Sequence, residues 1–140
     1  MIRFMFVLAI GFCLAALSPL QAATPSAKDA QAYIISPKNG EVVQSPVVVR
    51  FGLKGMGVAP AGTEKKHTGH HHLMIDLKKL PNLHKPLPSN AQLRHFGGGQ
   101  TEVTLKLKPG KHRLQIILGD KSHIPHNPVV LSKPITITVK

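Results

Sequence analysis

Thiol groups are almost absent from this chain of 140 residues. Its single cysteine, Cys13, lies inside an apolar run near the N-terminus, and no thiol follows that run. Three kinds of chemistry are therefore excluded from the rest of the chain: disulfide cross-links, thiolate-ligated centres such as blue copper, and cysteine nucleophiles. Any metal site has to use other donors, chiefly imidazole and carboxylate.

Acidic and aromatic residues are also scarce. Six Asp and Glu residues stand against 18 Lys and Arg residues, which gives a formal charge of +12. So few carboxylates disfavour a calcium site, which needs several oxygen ligands close together. Beyond the N-terminal run the only aromatic residues are Tyr33, Phe51 and Phe96. They are too few for the stacking platform of a single-strand binder, so nucleic acid is disfavoured as a partner.

The N-terminal segment is typical of a signal peptide. Arg3 precedes an apolar run over residues 4–17, and the small residues Ala22 and Ala23 follow at a position suited to cleavage. The run is shorter than the roughly 20 residues that a transmembrane helix needs, and no later stretch approaches that length. We therefore expect removal of residues 1–22, a mature chain with no transmembrane segment, and a periplasmic or secreted location.

Eleven of the twelve glycines and eleven of the twelve prolines lie beyond this segment and divide the rest of the chain into short runs. Between them apolar and polar residues alternate: Val47, Val49 and Phe51 fall on one face of a run, and Val48 and Arg50 fall on the other. This two-residue period is typical of strands that are buried on one face. No helical pattern of useful length occurs, so the fold class is predicted to be all-β.

The predicted organisation has three parts: a signal peptide over residues 1–22, a flexible tether over residues 23–31, and a domain over residues 32–140. Regular turn signals predict that this domain is a single immunoglobulin-like antiparallel β-sandwich of about seven strands. The best-defined strands are expected at residues 32–36, 47–54, 70–77, 101–107, 112–118 and 135–139, with any strand in 81–92 short and at an edge.

Nine histidines are the most distinctive feature of the sequence. In a β-sandwich, the loops that join up-running to down-running strands lie at one end, so loops 55–69, 93–100 and 119–133 are expected to meet. Seven of the nine histidines fall in or beside these loops. Imidazoles arriving from three separate segments indicate a transition-metal site. The candidate ligands are His70, His72, His95, His123 and His126.

Strand parity supports the choice of His70 and His72. If Leu73 and Ile75 point into the core, these two histidines share the opposite face, about 7 Å apart along the strand. Two imidazoles at that spacing can lean toward one ion. His71 has the parity of the core and is expected to pack at its rim or to bond a loop carbonyl.

Imidazole donors without thiolate suit Cu(II) and Zn(II). Copper is preferred because it leads the Irving–Williams order, and zinc is second. Asp76, Asp120 and His71 are candidates for partners that orient the ligands, and the two aspartates also for oxygen ligands. Ligating imidazoles must be neutral, so metal affinity is expected to fall as the pH drops through about 6.5.

Two other functions stay open at this point. The basic surface, +11 without Arg3 (17 basic against 6 acidic residues), also fits a cell-envelope module that binds an anionic polymer or another envelope protein. The same histidines around an open metal position would fit a metal-dependent enzyme. No serine lies in a nucleophile elbow and no pair of carboxylates is suitably spaced, so no catalytic residue is assigned and a binding role is favoured.

Four stretches of the chain resemble a known family. They are GMGVAPAG (residues 55–62), TGHHHLMID (68–76), HFGGGQTEVTLKLKPGKHRLQIILGD (95–120) and HIPHNPVV (123–130). Together they resemble domain-of-unknown-function family 4399, from about residue 32 to residue 140. The resemblance implies an exported domain and no particular activity. Two segments, ISPKNGEVVQSPVVVRF and LKPGKHRLQIILGD, are also similar to strand pairs of bacterial immunoglobulin-like domains, an analogy that concerns fold alone.

Overall fold

The computed structural model describes residues 22–140, and within them the chain forms strands and loops without a helix. The predicted all-β class is therefore confirmed, and no helix in these residues could cross a membrane. Residues 1–21, which carry the predicted signal peptide, lie outside the described residues. The strands are β1 (Gln31–Ser36), β2 (Val42–Val43), β3 (Val47–Lys54), β4 (Gly57–Val58), β5 (Thr68–Ile75), β6 (Leu93–His95), β7 (Glu102–Leu105), β8 (Gly110–Gly119) and β9 (Ile135–Val139).

The strands form two sheets. One has three antiparallel strands in the order β1-β3-β7, and the other has the order β2-β9-β8-β5-β4, with β6 also paired to β5. Two short pairings, β2 with β9 and β4 with β5, are parallel, so the sheets are not antiparallel throughout as predicted. Residues 22–140 contain nine strands rather than the predicted seven, because β2 and β4 were not expected; the short strand allowed in 81–92 is absent there, and β6 follows at Leu93–His95. Such short pieces cannot produce an alternating pattern in the sequence.

One apolar core contains residues from both sheets. Val49 and Phe51 of β3 pack in it together with Leu73 of β5 and with Leu114 and Ile116 of β8. The alternation read from the sequence explains this placement, because every second residue of a strand points to the same face. Burying each of these side chains contributes about 1.5–3 kcal/mol, so the shared core is a main source of stability.

Strand β5 is buried on both faces. Leu73 and Ile75 point into the main core, as their parity predicts. The other face carries a second buried cluster, formed by Met74, Leu87, Leu93 and Ile117. His70 and His72 share this second face with Met74, so they lie on a covered surface rather than on an exposed one. This arrangement brings polar rings into a largely dry environment.

The predicted tether makes contacts with the domain. Pro25 forms a parallel bridge with Asn127, and the Ser26 N–H donates a hydrogen bond to the Asn127 carbonyl (3.2 Å). The Asn127 N–H in turn donates to the Thr24 carbonyl (3.0 Å). The small and polar composition of residues 23–31 gave no sign of these bonds, because their partners lie far along the chain.

Asp76 lies at the far end of β5 from the predicted site. At 3.3 Å per residue it is about 20 Å along the strand from His70. Its carboxylate accepts hydrogen bonds from His112 Nδ1 (2.7 Å) and from the Arg113 N–H (2.8 Å). This corrects the expected role of Asp76 as a metal ligand or as a partner of one. Strand parity does not fix the distance along the strand, and Asp76, with φ of 55°, follows the last residue of β5.

The pair formed by His112 and Asp76 predicts a pH-dependent contribution to stability. Burial lowers the pKa of His112, but the hydrogen bonds that its ring donates to Asp76 and to the Lys108 carbonyl outweigh burial and raise it above its ordinary value. A raised pKa in the folded state stabilises the protein below pH 6.5, and that contribution disappears as the pH rises through the folded-state pKa.

We therefore expect His112→Gln to lower the free energy of unfolding by about 1 kcal/mol at pH 5.5 and by less at pH 8.5. Urea unfolding of the metal-free protein at the two pH values measures this difference. A loss that is equal at both pH values, or larger at pH 8.5, would contradict the assignment.

Candidate metal centre

His70 and His72 form the centre of the candidate site. They are alternate residues of β5, which pairs with β8 so that His70 lies opposite Gly119 and His72 opposite Ile117. Both side chains are fully buried, and their Nε2 atoms are 3.0 Å apart. Two nitrogens bound to one tetrahedral ion at 2.0 Å are about 3.3 Å apart. The observed separation therefore needs little adjustment to accept a shared ion.

His95 reaches the same place from β6. This strand is three residues long and pairs antiparallel with β5, with His95 directly opposite His72. One ligand atom from each of His70, His72 and His95 can be chosen so that all three lie within 4.8 Å of one another. The three imidazoles thus face a common point, which is what a metal ion requires.

His123 lies beside these three imidazoles, outside the group whose ligand atoms all lie within 4.8 Å of one another. Its ring centroid is 4.7 Å from that of His95, 5.1 Å from that of His70 and 6.1 Å from that of His72. Its backbone has φ of 67°, in the left-handed region that costs energy for a residue with a side chain. We use the name histidine cluster for these four side chains: His70, His72, His95 and His123.

Two glycines leave room for the rings. A Cβ on Gly119 would lie 2.8 Å from His72 Nε2, and a Cβ on Gly97 would collide with the ring of His95. Only glycine lets the backbone pass so close to the imidazoles without moving them. Neither glycine was predicted to be part of the site, although the run Gly97-Gly98-Gly99, which begins two residues after His95, is a visible signal in the sequence.

Asp120 was expected to orient an imidazole, but its hydrogen bonds instead organise the loop that carries His123. Its Oδ1 accepts hydrogen bonds from the N–H groups of Ser122 (2.8 Å) and Ile124 (3.0 Å), and its Oδ2 accepts one from Thr24 Oγ1 (2.7 Å). Burial raises the pKa of Asp120, but these hydrogen bonds outweigh it and hold the pKa below its ordinary value. An aspartate bonded to the N–H two residues later is a common turn motif, which the sequence could have suggested.

The structure leaves two of the named histidines outside the cluster. His126 is buried, and its Nε2 donates a hydrogen bond to the Thr68 carbonyl (3.1 Å). His71 points into the main core, with its ring centroid 5.3 Å from that of Phe51, so it supports no ligand directly. The spacing of two residues between His123 and His126 does not reveal that their rings diverge, because the loop between them is irregular.

Burial keeps His70 and His72 neutral. It lowers the pKa of His70 to about 4, with the imidazoles of His95 and His123 acting in the same direction, and it lowers the pKa of His72 to about 3. The pKa of His95 is also below its ordinary value, mainly because of burial. His70 and His72 therefore keep their lone pairs free for a metal well below pH 6.5, a lower limit than the one expected from an exposed histidine.

Several ring nitrogens in the site have no hydrogen-bond partner. They are buried and comprise Nδ1 of His70, Nδ1 of His72 and Nε2 of His95. Leaving a buried polar atom unpaired costs about 1–3 kcal/mol, so such atoms usually mark a role beyond packing. A cation bound at the Nε2 atoms of these three rings would pair the free nitrogen of His95, whereas Nδ1 of His70 and Nδ1 of His72 would stay unpaired.

Comparison with known proteins gives a family and no activity. A family model described as a domain of unknown function (DUF4399) matches residues 49–140, more than half of the chain. The matched stretch contains the whole histidine cluster and begins after β1. Searches of curated proteins and of solved structures find no match. The chemical interpretation therefore depends on the geometry of the site.

His71 provides a test of how much a buried neutral imidazole costs. Burial lowers its pKa to about 4, the backbone of Gln100 and Gly52 offsets this only in part, and neither ring nitrogen makes a hydrogen bond of ordinary geometry. A lowered pKa in the folded state means that stability is complete above pH 6.5 and falls as the pH drops toward 4, because the unfolded chain takes up the proton first.

We expect His71→Leu to raise the free energy of unfolding of the metal-free protein by about 1–3 kcal/mol at pH 7.5, and by more at pH 5. Guanidinium unfolding followed by circular dichroism measures both values. A variant that is less stable than the wild type, or equally sensitive to acid, would contradict this prediction and would show that His71 makes a favourable polar contact.

Proposed function

The chain belongs to the family described as domain of unknown function DUF4399, and we propose that it is an exported protein that binds a transition-metal ion for storage or delivery. The observation that carries the proposal is the convergence of ligand atoms from His70, His72 and His95 within 4.8 Å of one another. The nearby ring of His123 offers a fourth donor. Copper is the ion we propose first, and zinc is the alternative.

The donor set supports a transition metal over other ions. Imidazole nitrogen suits copper and zinc, whereas calcium and magnesium need oxygen ligands. Asp120, the aspartate that precedes His123 in the same loop, already accepts hydrogen bonds at both carboxylate oxygens. With neutral nitrogen donors alone, copper is favoured because it leads the Irving–Williams order.

Burial supports binding rather than catalysis. A catalytic metal keeps one coordination position open to water or substrate, while a site for storage or delivery can be fully occupied by protein ligands. Four imidazoles are sufficient for a four-coordinate site of either Cu(II) or Zn(II). The proposed periplasmic location depends on the N-terminal sequence pattern and agrees with a chain that needs no thiol to hold its metal.

Calorimetric titration of the metal-free mature protein with Cu(II), and separately with Zn(II), tests the proposal. We expect one ion per chain with a dissociation constant well below about 10 μM. The double variant His70→Ala/His72→Ala removes the two central donors and should abolish this binding. His84→Ala, which removes an exposed histidine outside the cluster, is the matched control and should leave binding unchanged. No binding by the wild type, or full binding by the double variant, would refute the proposal.

A second prediction distinguishes the roles of His123 and His126. Because the ring of His123 lies in the cluster and that of His126 bonds to the Thr68 carbonyl, His123→Ala should weaken copper binding by at least about tenfold. His126→Ala should change it by no more than about twofold. Competition with a chromophoric chelator measures both constants, and the reverse order of effects would exclude the proposed ligand set.

A further inference from the structure

The N-terminal segment holds the loop that carries His123. We call residues 24–26 the clasp and residues 120–126 the His123 loop. Thr24 bonds to Asp120 at the start of this loop, while Ser26 bonds through its N–H to Asn127 and through Oγ to the Pro128 carbonyl (2.8 Å). The clasp therefore contacts the chain at both ends of the His123 loop.

Asp120 connects the clasp to His123. Its Oδ2 accepts hydrogen bonds from Thr24 Oγ1 (2.7 Å) and Thr24 N (3.3 Å), and its Oδ1 accepts them from the N–H groups on either side of His123. The His123 N–H also donates to the Asp120 carbonyl (2.9 Å). One buried carboxylate thus fixes the turn in which His123 holds its unfavourable φ.

The other three imidazoles have a different support. His70, His72 and His95 lie on the paired strands β5 and β6, whose ladder hydrogen bonds fix them independently of the clasp. His123 lies on an irregular loop, and irregular segments open more readily than paired strands. The fourth imidazole is therefore the one whose position can change while the rest of the site stays intact.

We propose that the clasp positions His123 and thereby sets how tightly the metal is held, with Thr24 and Asp120 as positioning residues. This inference rests on the proposed function. A preorganised ligand binds more tightly because ordering it costs nothing when the metal arrives. Displacing three residues from the His123 loop removes one ligand out of four, which provides a route for metal release that leaves the fold unchanged.

The hydroxyl of Thr24 provides the test. Thr24→Val keeps the shape of the side chain and removes the hydrogen bond to Asp120, so Cu(II) affinity, measured by chelator competition, should fall about tenfold. Thr24→Ser restores the hydroxyl and should restore affinity. The control is Thr104→Val, the same change at an exposed position of β7 where the described hydrogen bonds include none from the hydroxyl. Unfolding of each metal-free variant is measured in parallel.

A double-mutant cycle tests whether Thr24→Val changes Cu(II) affinity through His123. If the clasp acts through His123, Thr24→Val should have no effect on Cu(II) affinity in the His123→Ala background. An equal loss in both backgrounds would overturn the inference, as would unchanged affinity in Thr24→Val alone.

Hydrogen exchange provides a readout that does not need metal. In metal-free Thr24→Val, the amides of Ser122 and Ile124 should exchange faster than in the wild type, and unchanged exchange would contradict the clasp. Failure of the wild type to bind Cu(II) would overturn the proposed function together with this inference. Normal binding by both the wild type and Thr24→Val would overturn the inference alone.

Discussion

Two imidazoles buried side by side on one strand are the feature on which the rest of this structure depends. The Nε2 atoms of His70 and His72 are 3.0 Å apart on a face of β5 that is covered by protein. Each ring also has a buried Nδ1 atom without a hydrogen-bond partner, which costs about 1–3 kcal/mol, so the fold has to supply that free energy from its core. A cation shared by the two Nε2 atoms would account for the convergence of the rings.

The fold meets this requirement with elements of different rigidity. The paired strands β5 and β8 carry the two central rings, and the short strand β6 adds His95 opposite His72. Two glycines, Gly97 and Gly119, allow the backbone to pass close to the rings. The fourth ring lies on a loop held by Asp120 and the N-terminal segment. Three imidazoles are thus held by sheet structure, and one by a local turn.

The two-residue repeat of apolar residues made several strands, and the face on which their side chains lie, predictable from the sequence. The bounds of β3 and β9 and the opposite orientations of His71 and His72 follow from the two-residue repeat alone. The sequence could not indicate which of these side chains lie close together in space. Asp76 follows β5 at the end away from the cluster and bonds to His112, and His126 follows His123 closely but turns toward Thr68. The contact between Thr24 and Asp120 joins segments 96 residues apart and has no local signal.

X-ray absorption spectroscopy of the copper-loaded protein tests the central claim most directly, because it reports which atoms surround the metal. We expect a first shell of nitrogen atoms only, at about 2.0 Å, with the outer-shell scattering of imidazole rings. The His70→Ala/His72→Ala variant should lose this spectrum. A first shell that contains sulfur or mainly oxygen, or an identical spectrum from the double variant, would show that the buried imidazoles of β5 do not bind the metal.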